Sequence, residues 1–151
     1  MKNIIMTLLV SMAPVIELRG GIPFGVAKGL SLPVAFTVSV IGNLLPVPFI
    51  LLFIRAIFDW MRLRSRRLDG LVTRMEEKAE KKKATIEKYK WWGLVIIVAI
   101  PLPGTGAWTG ALVAALMDVR IKRALPAIFL GVLIAGIIVC YLTYGATLMI
   151  G

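Results

Sequence analysis

Glu17-Leu18-Arg19-Gly20-Gly21-Ile22-Pro23-Phe24-Gly25 lies within an otherwise apolar run from Ile4 to Leu30. A charged side chain at that depth costs about 3 kcal/mol or more in hydrocarbon, so it faces protein or trapped water. Adjacent glycines interrupt the helix that would otherwise hide the backbone. The stretch therefore reads as a polar break, Glu17 to Gly21, between two short apolar arms. Pro14 ends the first arm, and Pro23 suits the first turn of the second, Ile22 to Gly29.

The composition around this stretch sets the class. Apolar residues are 59% of the 151-residue chain and the mean hydropathy is +0.89, far above the soluble range. Several apolar runs reach the roughly 20 residues that cross a bilayer. An integral membrane protein follows, with residues 1–151 as one membrane domain. Three parts are expected: a first unit at 1–58, a basic segment at 59–90 and a second unit at 91–151.

The net charge of +10 does not point to nucleic acid. The basic residues cluster between Arg55 and Lys90 and from Arg120 to Arg123, beside apolar segments, as the Lys/Arg excess of cytoplasmic loops does. Spaced basic and aromatic residues for groove or strand binding are missing, so no nucleic-acid partner is expected. The chain has one cysteine, Cys140, and no histidine. That leaves no intramolecular disulfide, and it removes zinc hydrolases and histidine-based catalysis in their usual forms. Neither an enzyme, nor a metal, nor a cofactor is expected. Met1 to Ala13 imitates a secretory signal, but Pro14 fits poorly after a cleavage site, so it reads as a retained membrane segment.

Leu30 to Phe58 is long enough for a tilted transmembrane helix, interrupted at Gly42-Asn43 and at Pro46 and Pro48. In the basic segment, Leu68, Leu71, Val72, Met75, Ala79, Ile86 and Tyr89 recur at helical spacing. This predicts a basic amphipathic helix on the inner membrane surface, the alternative being an ordinary solvated helix. Trp91-Trp92 is an interface anchor. Beyond it come an arm from Gly93 to Ile100, a break at Pro101-Leu102-Pro103-Gly104-Thr105-Gly106, and an arm from Ala107 to Met117. A last apolar span runs from Ala124 to Ile150.

The two halves align. Gly21, Gly25 and Gly29 are four apart, as are Gly106, Gly110 and Ala114, and Pro33-Val34-Ala35-Phe36 resembles Pro126-Ala127-Ile128-Phe129. Charge then sets the threading. If Trp91 to Met117 crossed once, one basic region would face outward, against the positive-inside bias. A re-entrant hairpin keeps both regions cytoplasmic. By symmetry, residues 1–29 form a hairpin from the outside. The expected fold is an all-α membrane protein of two inverted repeats, each a re-entrant helical hairpin plus a transmembrane helix. A basic cytoplasmic amphipathic helix joins them. The location implied is the cell's inner membrane, multi-pass, with the basic loop in the cytoplasm.

At each break, amides at the start of the second arm carry the positive end of a helix dipole. Gly20, Gly21, Gly104, Thr105 and Gly106, with Arg19 and Asn43, are the candidate wall for an anion or substrate. Glu17 is the candidate proton or cation carrier. The alternative is that Glu17 and Arg19 only neutralise each other. Gly25, Gly29 and Gly110 read as helix-packing positions. Trp108 reads as packing or interface, and Arg55 as a membrane-edge residue.

Glu17-Leu18-Arg19-Gly20-Gly21-Ile22-Pro23, followed by Pro101-Leu102-Pro103-Gly104-Thr105-Gly106-Ala107-Trp108-Thr109-Gly110, resembles the small multidrug export protein family over essentially the whole chain. The paired hairpins are more distantly similar to the DedA-like superfamily, which is linked to translocation of lipid carriers and phospholipids. That resemblance implies essential acidic and arginine residues in the hairpins, a role matched by Glu17 and Arg19. The second motif has no arginine.

Three functions follow as expectations. The first is a small proton-coupled secondary transporter with a midplane site. The second is a flippase for a lipid phosphate. The third is a non-transporting scaffold. The implied partners are membrane lipid, a small-molecule or lipid-phosphate substrate, and a second copy in a homodimer.

Overall fold

A computed structural model describes residues 1–13, 16–89, 91–100, 106–117 and 119–150, and apolar periodicity and proline placement divide these described residues into eight helices. They are α1 (Lys2–Met12), α2 (Glu17–Ala27), α3 (Leu32–Leu44), α4 (Val47–Arg64), α5 (Arg66–Tyr89), α6 (Trp91–Ala99), α7 (Ala107–Leu116) and α8 (Ile121–Ile150). Among the described residues the fold is all-helical, as expected.

Among the described residues two stretches are long and apolar enough to cross a membrane, Leu32–Arg64 and Ile121–Gly145. The first is α3 and α4, separated by a turn at Leu45-Pro46. Neither Pro46 nor Pro48 has an N–H to continue the helical ladder, so the run bends there. Pro126 falls near the start of α8, which carries on through it. α1, α2, α6 and α7 have 9 to 11 residues each. At 1.5 Å per residue such a helix is about 15 Å long, half the hydrocarbon thickness.

The short helices pair with the long ones in a repeating way. α1 packs on α3 and α6 on α8, while the second arms cross over: α2 also reaches α8, and α7 reaches α4. α5 lies against α4, α6 and α7. Val72, Ala79 and Ile86 are its buried stripe, seven residues apart, and most of its charges stay exposed. Arg62 near the end of α4 ion-pairs with Asp69 and Glu76 of α5, which fixes the corner between them. The Trp91 indole N–H donates to the Arg123 carbonyl at 2.9 Å, tying the start of α6 to the start of α8.

One break differs in position from the sequence reading. α2 begins at Glu17, so Gly20 and Gly21 are inside the helix and the interruption lies between Met12 and Glu17. Pro23 is consequently mid-helix rather than in the first turn. The reason is tertiary. Gly21 is faced closely by Ser11 of α1 and Ser39 of α3, which favours a close-packed helix over an open loop, whereas Gly20 meets only Ile16 one turn back on its own helix.

Candidate functional site

The site is built where the start of α2 meets the start of α7. Glu17 has a φ of 51°, the left-handed region that side-chain-bearing residues avoid at a cost of about 1–3 kcal/mol. This backbone turns its carboxylate inward, and the residue is 2% exposed. Oε1 accepts the backbone N–H of Trp108 at 3.1 Å. The carboxylate thus binds the first turn of α7, whose amides have no intrahelical acceptors and carry the positive end of the dipole. The Arg19 guanidinium approaches Oε2 at 3.7 Å and is itself 19% exposed.

Gly106 makes this approach possible. It precedes α7 with a φ of 113°, and its N–H donates to the Ile97 carbonyl at 3.3 Å. A Cβ on Gly106 would stand 2.0 Å from Glu17 Oε2. Only glycine leaves room for the carboxylate there, and only glycine adopts that backbone without strain.

Charged side chains from the first half hold both ends of α7. At its C-terminal end, Arg55 donates from Nε to the Ala115 carbonyl at 3.2 Å and from an Nη to the Leu116 carbonyl at 3.1 Å. A carboxylate at the N-terminus and a guanidinium at the C-terminus both match the helix dipole. Burying the Glu17 charge costs several kcal/mol, and the charge-assisted hydrogen bond, the dipole and Arg19 offset it.

Trp108 connects this acid to a surface groove. Its indole N–H donates to the Met12 carbonyl at 3.0 Å, satisfying a carbonyl at the end of α1. Its ring, with Met12, Leu45, Phe49, Phe53 and Trp60, lines a mostly apolar groove of about 1010 Å³ along α4.

The other predicted residues fall in different places. Gly20 donates its amide to the Ile16 carbonyl at 3.1 Å, so it offers no open anion site. Gly21 faces the Ser11 and Ser39 hydroxyls, and a Cβ there would come within 1.9 Å and 3.0 Å of them. Both glycines lie within α2 rather than at an open break. Gly25 packs against Thr7 and Ala35, and Gly110 against Val98. Gly29 packs on nothing; its φ of 95° shows a turn position instead. Asn43 is 2% exposed on α3, with Oδ1 unpaired. Gly104 and Thr105 lie outside the described residues.

Sequence reasoning missed Trp108 and Arg55 as partners of the site. Their roles depend on backbone groups across the fold, which carry no sequence signal. It also passed over Ser11 and Ser39. Asn3-Thr7-Ser11 and Ser39-Asn43, at four-residue steps in apolar helices, were the available sign.

Long apolar helices around a buried carboxylate define a helical membrane protein with a polar interior site. The chain belongs to the putative small multi-drug export protein family, whose model matches residues 17–138. No curated protein and no solved structure matches it. The family description points to export of small molecules across a membrane.

Proposed function

We propose that the protein is a small secondary exporter of amphipathic small molecules, coupled to protons through Glu17. The observation that carries this reading is Trp108, which binds the Glu17 carboxylate through its backbone and walls the α4 groove with its ring. Protonation would weaken the hold of Glu17 on the α7 amides and on Arg19. α7 and the Trp108 ring would then be released together, giving the groove two states with different affinity for a bound molecule. The apolar lining suits hydrophobic bodies, which are held by burial rather than by specific polar contacts.

The threading belongs to the same proposal. The α1–α2 hairpin dips in from outside and the α6–α7 hairpin from the cytoplasm, as inverted repeats meeting near the midplane. Their half-membrane lengths and the crossed packing of α2 on α8 and α7 on α4 support it. α5 then lies at the cytoplasmic face of the inner membrane among anionic lipids. The exposed apolar faces of α4 and α8 serve lipid or a second copy. No enzymatic step is part of this reading.

A lipid-phosphate flippase of the DedA-like kind is less well supported. The amide it would use at the start of α7 is taken by Glu17, so a phosphate would have to displace a buried carboxylate.

The test is ethidium transport in proteoliposomes under an imposed pH gradient. Gradient-driven movement in the wild type, lost in Glu17→Gln, supports the proposal; movement indifferent to both gradient and substitution ends it. Threading is checked by thiol labelling in a Cys140→Ser background. An external reagent should reach a cysteine at position 28 and miss one at position 122.

A further inference from the structure

Between α1, α2 and α3 lies a group of oxygens that the packing leaves without partners. Ser11 Oγ, Ser39 Oγ and Asn43 Oδ1 are fully buried and make no hydrogen bond. In an apolar interior each such group costs about 1–3 kcal/mol unless something pairs with it. Two of them converge: Ser11 Oγ and Ser39 Oγ both lie within 3.0 Å of the point where a Gly21 Cβ would be. Asn43 is one helical turn beyond Ser39 on α3. Gly21 is one turn from Glu17 on α2.

The polar line continues toward the chain surface. On α1, Ser11, Thr7 and Asn3 follow one another at four-residue steps, Ser11 facing Gly21 and Thr7 facing Gly25. Thr7, fully buried, donates to the Asn3 carbonyl at 2.7 Å. Asn3 donates to the Lys28 carbonyl at 2.9 Å at an exposed position. Successive positions one turn apart are about 5–6 Å from each other. That is too far for a direct hydrogen bond and right for one water between two hydroxyls.

We infer that Ser11, Ser39 and Asn43 hold buried water one helical turn from Glu17, and that this water passes protons between Glu17 and the surface at Asn3 and Lys28. The inference rests on Glu17 being the proton carrier proposed above. Each water or hydroxyl accepts a proton on one lone pair and releases its own on the other side. Thr7 does so by turning its hydroxyl from the Asn3 carbonyl to water at the mouth, and the amide groups of Asn3 and Lys28 carry no proton themselves. The proton leaving the Glu17 carboxyl thus emerges at the mouth, and no charge stays on the file. A buried water needs two to four polar partners; the two converging serine hydroxyls are such partners for one water, and Asn43 Oδ1 is an unpaired acceptor one turn further on.

Few charges intrude. Arg19 faces Glu17, and α7 presents amides only. Of the helices packed on α2, α1 carries Lys2 at its far end, α3 carries no charge, and α8 carries Lys122 and Arg123 at its start.

The test is infrared spectroscopy of the full chain in lipid vesicles, following hydrogen–deuterium exchange of the protonated carboxyl band assigned by its loss in Glu17→Gln. The expected result is exchange slowed about tenfold or more in Ser11→Ala/Ser39→Ala, a barrier increase readable as a rate ratio. Thr7→Val keeps the side chain's shape and removes its hydroxyl; it should slow exchange as well, while Thr7→Ser should not. Thr7→Val therefore decides the matter should the double variant fail to fold. Wild-type exchange rates in these variants overturn the water file and leave the coupling role of Glu17 standing. Absence of a protonated Glu17 band anywhere between about pH 4 and 9 overturns both, because a carrier must bind its proton in the working range.

Discussion

The α1–α2 pair and the α6–α7 pair are each two short helices of 9 to 11 residues, but they differ in lining. In the first, glycines four residues apart face Thr7 and Ser11, with Ser39 and Asn43 behind them. In the second, Gly110 meets Val98, and the surrounding Leu94, Ala111 and Ala114 are apolar and buried. Glycine spacing alone therefore says that two helices come close, not what lies between them. The first pair uses the closeness to shelter polar atoms. The second uses it for dry packing and offers the start of α7, which the first pair's Glu17 occupies. The two halves are complementary rather than equivalent.

The sharpest way to break that complementarity is Gly106→Ala. The added methyl meets the carboxylate and sits on a backbone that disfavours side chains. We expect a loss of about 3 kcal/mol or more in stability, from backbone strain plus a displaced buried charge. Reversible unfolding in mixed detergent micelles measures it, and an unchanged midpoint would show that Glu17 does not need that position.

Next comes Glu17 itself. Glu17→Ala leaves the Trp108 amide buried and unpaired, for an expected cost of about 1–3 kcal/mol, whereas Glu17→Gln retains an acceptor and should lose less than half of that. Equal losses would mean that charge, not acceptance of the amide, holds α7.

Gly21→Ala probes the polar lining, since its methyl overlaps the Ser11 hydroxyl. Overpacking of about 1–3 kcal/mol is expected, partly relieved when Ser11→Ala is added. Gly110→Ala, whose methyl crowds a Val98 methyl and touches Leu94 at an ordinary 3.6 Å, should cost less because no polar atom is displaced. The reverse order in thermal melts would contradict the contrast drawn between the two pairs. The smallest effect is expected at the other end of α7. Arg55→Met should cost about 0.5–1 kcal/mol, the usual worth of a cation at a helix C-terminus. Melting of the variant beside Arg55→Lys would separate charge from the forked geometry of the guanidinium.

Much of the architecture was legible because it follows from local pattern. Apolar length marked the two long spans, though Leu30 to Phe58 proved to be two helices bent at Leu45-Pro46 and extended to Arg64. The stripe Val72, Ala79 and Ile86 marked α5, and the prolines and glycines marked the ends of the short arms. The location of the first break was not legible, because Gly20-Gly21 breaks a helix in isolation, whereas Gly21 packs one when Ser11 and Ser39 stand opposite. Glu17 was visible as an anomaly of charge in hydrocarbon. Its partner was not, since a backbone N–H looks the same at every residue.

The sequence by itself determined a helical membrane protein, its basic flank and the buried acid as the residue out of place, since transfer energies and periodicity are properties of short stretches. Only the tertiary structure decided that this acid closes the start of α7, that Arg55 closes its other end, and that Trp108 joins the acid to the groove. Those contacts link backbone groups 60 to 96 residues away along the chain, and nothing local to either partner specifies them.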